Sequence, residues 1–190
     1  SFWDIFKVWE GGLSMLGGVV ALIIFLPLYM RHLKVPMLPL LDLVAVHVPL
    51  VEAFGRIGCF MAGCCYGLPT QLPWGITYTH QNTVAPMNIC LHPTQLYTSL
   101  LFFGIFFLMR FVFEQRIKKP GQLFMLYLMF VSLVRFSVDF LRGDQEFFDQ
   151  MPLFSFISPT LLAIHQWVAL TIFSGALIGF ILLNRRSPSS

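Results

Sequence analysis

The sequence predicts an all-α, polytopic helical membrane protein with about five transmembrane helices and its polar site toward the outer face. Three observations lead there. Of 190 residues, 57% are hydrophobic and 11% charged, against about 25% charged in an ordinary soluble domain. Mean hydropathy is +0.76, and 21 phenylalanines are more than one soluble core would hide. The apolar residues also come in runs long enough to cross hydrocarbon, which takes about 20 residues of helix. The net charge of +3 matters less than where the charges stand. Nothing in the sequence supports nucleic-acid binding.

Taken in order, Ser1 to Glu10 is aromatic and mixed in charge, as suits an interfacial segment. Gly11 to Met30 is the first span, with Gly11, Gly12, Gly17 and Gly18 allowing close packing on a helix or a lipid. Arg31 and Lys34 close it, and Pro36 and Pro39 mark a turn and a fresh helix start. The second span, about Leu38 to Ile57, carries Asp42, His47 and Glu52 and is therefore expected to face a bundle interior. Leu68 to Leu91 reads as a polar loop with three prolines and no span. Pro93 to Phe113 is the third span, polar at its start, followed by a basic turn from Glu114 to Lys119. Gln122 to Leu141 is the fourth, Gly143 to Ser158 an acidic and aromatic loop, and Thr160 to Leu183 the fifth. Residues 1–190 form one transmembrane domain without internal repeat or soluble module. Because position 1 is serine and no cleavable signal pattern follows, the chain is expected to be a fragment or a processed product.

Basic residues set the orientation. Arg31, Lys34, Arg110, Arg116, Lys118, Lys119, Arg185 and Arg186, eight of the twelve, fall on one side if the C-terminus is cytoplasmic. The positive-inside rule then puts both long loops outside. The polar ends of the second, third and fourth spans would meet at that outer face.

Those ends carry the candidate chemistry. Gly55-Arg56-Ile57-Gly58-Cys59-Phe60-Met61-Ala62-Gly63-Cys64-Cys65-Tyr66-Gly67 sits between apolar runs, yet holds one arginine and four glycines. An arginine near hydrocarbon costs about 2.5–3.5 kcal/mol on the insertion scale, which makes it a functional candidate. Its planar fork of donors matches a phosphate, and the glycines let the backbone leave helical geometry or be approached closely. The plain alternative is a pairing of Arg56 with Glu52, one turn earlier. Arg135, Asp139 and Arg142 are spaced i, i+4, i+7 and would make one stripe on a helix. An Arg–Asp pair there is either structural neutralisation or part of a site with positive charge to spare. His92-Pro93-Thr94-Gln95-Leu96-Tyr97 opens a helix whose N-terminus favours an anion, with His92 a base or donor, or simply a loop cap.

Together these runs resemble the prolipoprotein diacylglyceryl transferases of bacterial inner membranes, as does Trp9-Glu10-Gly11-Gly12-Leu13-Ser14-Met15-Leu16-Gly17-Gly18 upstream. The match extends in the same order from about Val8 to Gln166. That family has seven spans, so the resemblance makes this chain the third to seventh. It implies transfer of a diacylglyceryl group from phosphatidylglycerol to the lipobox cysteine of a prolipoprotein signal peptide, without metal or organic cofactor. Carried over by position, Arg56 and Arg135 are catalytic phosphate-binding arginines and His92 joins them. Gly58, Gly67, Gln95, Tyr97, Asp139 and Arg142, with Gly17 and Gly18, are substrate-binding. The lipid would enter sideways between helices.

Three positions depart from the family pattern. Leu16 stands where a histidine is usual before the double glycine, Cys59 where asparagine closes the glycine–arginine run, and Val131 where a tyrosine precedes Arg135. Phosphate holding survives these changes, but thiol activation falls to His92 unless the chain is an inactive or differently employed relative. A lipid-binding scaffold or a transporter-like subunit are such uses. The four cysteines, Cys59, Cys64, Cys65 and Cys90, do not have zinc-module spacing, and adjacent Cys64 and Cys65 are poorly arranged to share one ion. No metal is therefore assigned. A disulfide from Cys90 to Cys64 or Cys65, or plain packing, are the readings left open.

Overall fold

Among the described residues four helices are long and apolar enough to cross a membrane: Met37–Ala62, Thr94–Arg116, Gln122–Asp139 and Gln166–Arg185. The protein is a helical, multi-pass membrane protein. The computed structural model describes residues 24–80, 83–142 and 164–185, and the chain divides into two units, Ser1–Leu40 and Leu41–Ser190. In the first unit residues 24–32 are helical, ending in a turn where Lys34 takes φ 54°. Most of the expected first span, with Gly17 and Gly18, and all of the second long loop lie outside the described residues.

Helix α1, Met37–Ala62, starts directly after Pro36 and runs through Pro49. It is five residues longer at its C-terminal end than the sequence suggests, and this corrects one expectation. Gly55, Arg56, Ile57 and Gly58 lie in regular helix, and nothing stands within 4 Å of a Cβ built on either glycine. Glycine permits a break without compelling one, and a backbone deprived of water keeps its bonds within the helix. The break comes at Gly63, with φ 70°, and Cys65 follows at φ 58°.

The connection that follows is not wholly irregular. Strands β1, Ile76–Thr77, and β2, Cys90–Leu91, pair antiparallel, and isolated bridges join Gly67 to Arg142 and Pro69 to Leu91. Helix α2, Thr94–Leu108, passes into a π turn at Met109–Phe113 and ends with Glu114–Arg116, where Arg110 pairs with Glu114. Helix α3 covers Gln122–Asp139 and α4 Ile164–Arg185. Asp139 ends α3, so Arg142 is not on its stripe as the i, i+7 spacing implies. Arg142 belongs to the bridge with Gly67.

One apolar core joins α1, α2 and α3, centred on Ala53, Phe102 and Met109, all fully buried, with Tyr127 and Val134. Asp42 on α1 is buried too. Its carboxylate accepts from the N–H groups of Gly121 (2.6 Å) and Phe124 (2.8 Å), capping α3 with a group from another helix. A negative charge there also complements the α3 dipole. The expectation that the polar residues of this span face the bundle interior holds for Asp42 and, half-buried, for Glu52. It does not hold for His47, which is exposed with its Nδ1 turned back to the Leu43 carbonyl at 2.9 Å. Leu100, Phe107, Phe111, Val51 and Phe54 stay exposed, as side chains that face lipid do.

Candidate functional site

Every arginine named from the sequence as a candidate reaches one place. A narrow cavity of about 10 Å³, with room for about one water, is lined by Arg56 of α1, Cys65 beyond it, Thr94, Gln95 and Thr98 of α2, and Val134, Arg135, Val138, Asp139 and Arg142 from α3 and its end. Arg135 lies within electrostatic reach of Arg56, Arg142, Asp139 and Glu52. Three guanidinium groups thus meet two carboxylates among the described residues. Glu52 does not form an ion pair with Arg56 there. Its carboxylate accepts from the Tyr127 hydroxyl at 3.2 Å. Asp139 and Arg142 approach to 3.8 Å.

Alongside lies a second, larger cleft of about 450 Å³ between α3 and α4. Leu128, Val131, Val168, Ala169 and Ile172 make its walls apolar, and Arg135, Asp139 and Arg142 are shared with the narrow cavity. An apolar trough therefore opens on a cationic end.

The wall opposite the arginines is held by backbone bonding. Thr94 Oγ1 donates to the Cys65 carbonyl and Gln95 Nε2 to the Cys64 carbonyl, both at 2.7 Å. Gln95 is fully buried, and its Oε1 has no partner. Gly67 donates its N–H to the His92 carbonyl at 3.0 Å, while Leu68 N–H donates to the Leu141 carbonyl at 2.8 Å. A Cβ at Gly67 would stand 2.6 Å from His92 Cβ, 2.7 Å from its carbonyl oxygen and 2.8 Å from the Leu141 oxygen. Only glycine lets three chain segments meet there. This close approach is the use the sequence analysis foresaw for a glycine of that run, but at Gly67 rather than at Gly55 or Gly58.

Other expected residues stand further out. Gly58 is inside α1 and does not line the cavity. His92 does not line it either. Its Nδ1 faces the Tyr97 hydroxyl at 3.3 Å, and that hydroxyl accepts from Trp74 Nε1 at 2.8 Å. His92 remains coupled to the cavity through Gly67, which bridges to Arg142. Thr98 was not named from the sequence, and Thr94 and Cys65, though named there, were not assigned to this site. Thr94 and Thr98 lie one helical turn apart on the buried face of α2, and that spacing was the available signal.

Cys59, Cys64, Cys65 and Cys90 are all free thiols. Burial, then the neighbouring Cys65 and Cys59, push the Cys64 thiol up to about 12. Burial likewise raises the Tyr78 hydroxyl, opposed by its hydrogen bond with Gln95.

Comparison with known proteins gives the family. A family model described as prolipoprotein diacylglyceryl transferase matches residues 1–183. A protein of Clostridium tetani named phosphatidylglycerol–prolipoprotein diacylglyceryl transferase is 41% identical over 141 residues, covering 74% of this chain and 56% of its own length. Proteins of the same name from Bordetella avium and Finegoldia magna are 30% and 32% identical, over 97% and 84% of this chain and 66% and 61% of their own. The chain thus spans between about half and two thirds of these relatives' length. With a match across nearly its whole sequence, the chain belongs to the prolipoprotein diacylglyceryl transferase family.

Proposed function

We propose that the protein transfers a diacylglyceryl group from phosphatidylglycerol to the lipobox cysteine of a prolipoprotein signal peptide, releasing glycerol phosphate. The observation that carries this reading is the sharing of Arg135, Asp139 and Arg142 between a cationic cavity and an apolar cleft. A phospholipid has that same division between an anionic head and apolar tails. The tails would enter sideways between α3 and α4 without leaving the bilayer, and the phosphate would rest against Arg56 and Arg135, whose donor forks match it.

In the reaction the thiolate sulphur forms a bond to the glycerol carbon next to the phosphate. The carbon–oxygen bond breaks, and its electron pair leaves on the phosphate oxygen. Fixed guanidinium groups aimed at that oxygen stabilise the charge as it develops. Asp139 and Arg142 steady Arg135, while Gly67, Gln95 and Tyr97 shape the wall. The thiol proton is assigned to His92, which stands in one hydrogen-bonded chain with Tyr97 and Trp74 and meets the cavity wall through Gly67. Gly17 and Gly18 would pack against the lipid. The setting we propose is the bacterial inner membrane, with the C-terminus cytoplasmic and the site outward.

A second reading, a lipid-binding relative without transfer, is favoured by Leu16 at the position where the resemblance calls for histidine, and by the distance of His92 from the cavity lining. The experiment supplies membranes holding this chain with headgroup-labelled phosphatidylglycerol and a lipobox peptide. Release of labelled glycerol phosphate together with a mass gain of one diacylglyceryl on the peptide is the expected result. Lipid binding with neither product would replace transferase by lipid-binding relative.

A further inference from the structure

Where α1 ends, three sulphurs converge. The Sγ atoms of Cys59, Cys64 and Cys65 all lie within 4.8 Å of one another, and all three side chains are half-buried free thiols. Sequence spacing argues against a shared ion, because adjacent side chains usually diverge. The backbone removes that objection. Cys65 is left-handed, at φ 58°, and the Cys64 N–H returns to the Cys59 carbonyl at 3.2 Å, so the chain folds back over its own helix end.

We propose that Cys59, Cys64 and Cys65 bind one soft, thiophilic metal ion as thiolates. Sulphurs about 2.3 Å from a zinc ion stand about 3.8 Å apart in a tetrahedron. Closing from 4.8 Å or less to that separation is a shift of about 1 Å at most, in which the Cys64 thiol gives up its contact with the Cys59 carbonyl at 3.7 Å. A disulfide needs its two sulphurs at about 2.05 Å and would leave the third unused. The backbone around the cluster is fixed by bonds that spare the sulphurs: Thr94 holds the Cys65 carbonyl, Gln95 the Cys64 carbonyl, and Gly63 N–H the Phe60 carbonyl at 3.2 Å. Ligands so preorganised lose little freedom on binding.

An all-sulphur donor set selects Zn²⁺, Cd²⁺ or Cu⁺ over Mg²⁺ and Ca²⁺. Each thiol gives its proton to solvent on ligation. Three thiolates around a divalent ion carry one net negative charge, and Arg56 lines the same cavity as Cys65, which favours that charge. The fourth position on the ion is left to an external ligand. None of this depends on lipid transfer.

Cadmium is the probe. The full chain in detergent, reduced and freed of reductant, is titrated with Cd²⁺ while the ultraviolet sulphur-to-cadmium charge-transfer band is read. Saturation at one ion per chain is expected, with no competition from Mg²⁺ or Ca²⁺. Cys59→Ser, Cys64→Ser and Cys65→Ser should each weaken binding at least tenfold. Cys90→Ser, at a residue that stands against Gly75 in the loop, should not. X-ray absorption at the cadmium edge of the unmutated chain needs no variant to fold, and three sulphur neighbours are expected. Fewer than three, a band that persists in the triple serine variant, or a reduced chain that re-forms a disulfide within the cluster and takes up no cadmium would each overturn the inference.

Discussion

Gly67 and Arg142 face each other in an antiparallel bridge, which ties the turn after α1 to the end of α3. Through this pair the loop that holds His92 and the helix that holds Arg135 become one rigid wall. Gly67→Ala would press a methyl against His92 and against the Leu141 carbonyl, and neither backbone oxygen can move alone. Overpacking of this kind costs about 1–3 kcal/mol. The variant should insert into membranes, melt earlier in detergent and lose most diacylglyceryl transfer. An unchanged melting curve with full transfer would show that the wall tolerates the methyl.

Arginine geometry gives a second expectation. Arg56→Lys and Arg135→Lys keep the charge but lose the paired donors. Removing one preorganised donor typically lowers turnover about 10²–10³-fold, and transfer should drop by that order in each variant. Arg110→Lys, in an exposed pair with Glu114, is the control and should remain within twofold. Equal transfer rates in all three would make Arg56 and Arg135 structural.

Asp42 is expected to matter for stability alone. Asp42→Ala strips both caps from the start of α3, and a lost cap costs about 0.5–2 kcal/mol. The two donors are then left without their carboxylate. Thermal unfolding in detergent should shift down, while transfer per folded molecule at low temperature stays close to the parent, since Asp42 does not line the cavity. A selective loss of transfer without a stability change would place Asp42 in the chemistry instead.

Sidedness can be read with single cysteines in a background lacking the four native ones. Val84→Cys, exposed in the loop before α2, should react with an impermeant maleimide on intact cells. Gln115→Cys, exposed beyond the π turn, should react only after permeabilisation. The reverse pattern would invert the orientation and move the site to the cytoplasmic face.

By itself the sequence determined the class and the order of spans. Hydrocarbon imposes a length and an apolar composition on any segment that crosses it, and both are local properties that can be read residue by residue. Arg56, Arg135 and Arg142 were legible for the same reason, because a guanidinium beside such segments is costly enough to demand a partner or a ligand. The resemblance of the glycine–arginine, His92–Tyr97 and Arg135–Arg142 runs to a family gave the reaction to look for. Only the tertiary structure decided where α1 breaks, which glycine is crowded and how the cysteines stand. Gly55, Gly58, Gly63 and Gly67 look alike in sequence, yet one has φ 70° and another is pressed by His92 and Leu141. Crowding is a property of segments remote along the chain. The capping of α3 by Asp42, about 80 residues away, and the joining of Cys65, Thr94 and Thr98 to the arginines were hidden for that same physical reason: each depends on which helix faces pack together, and local sequence does not state it.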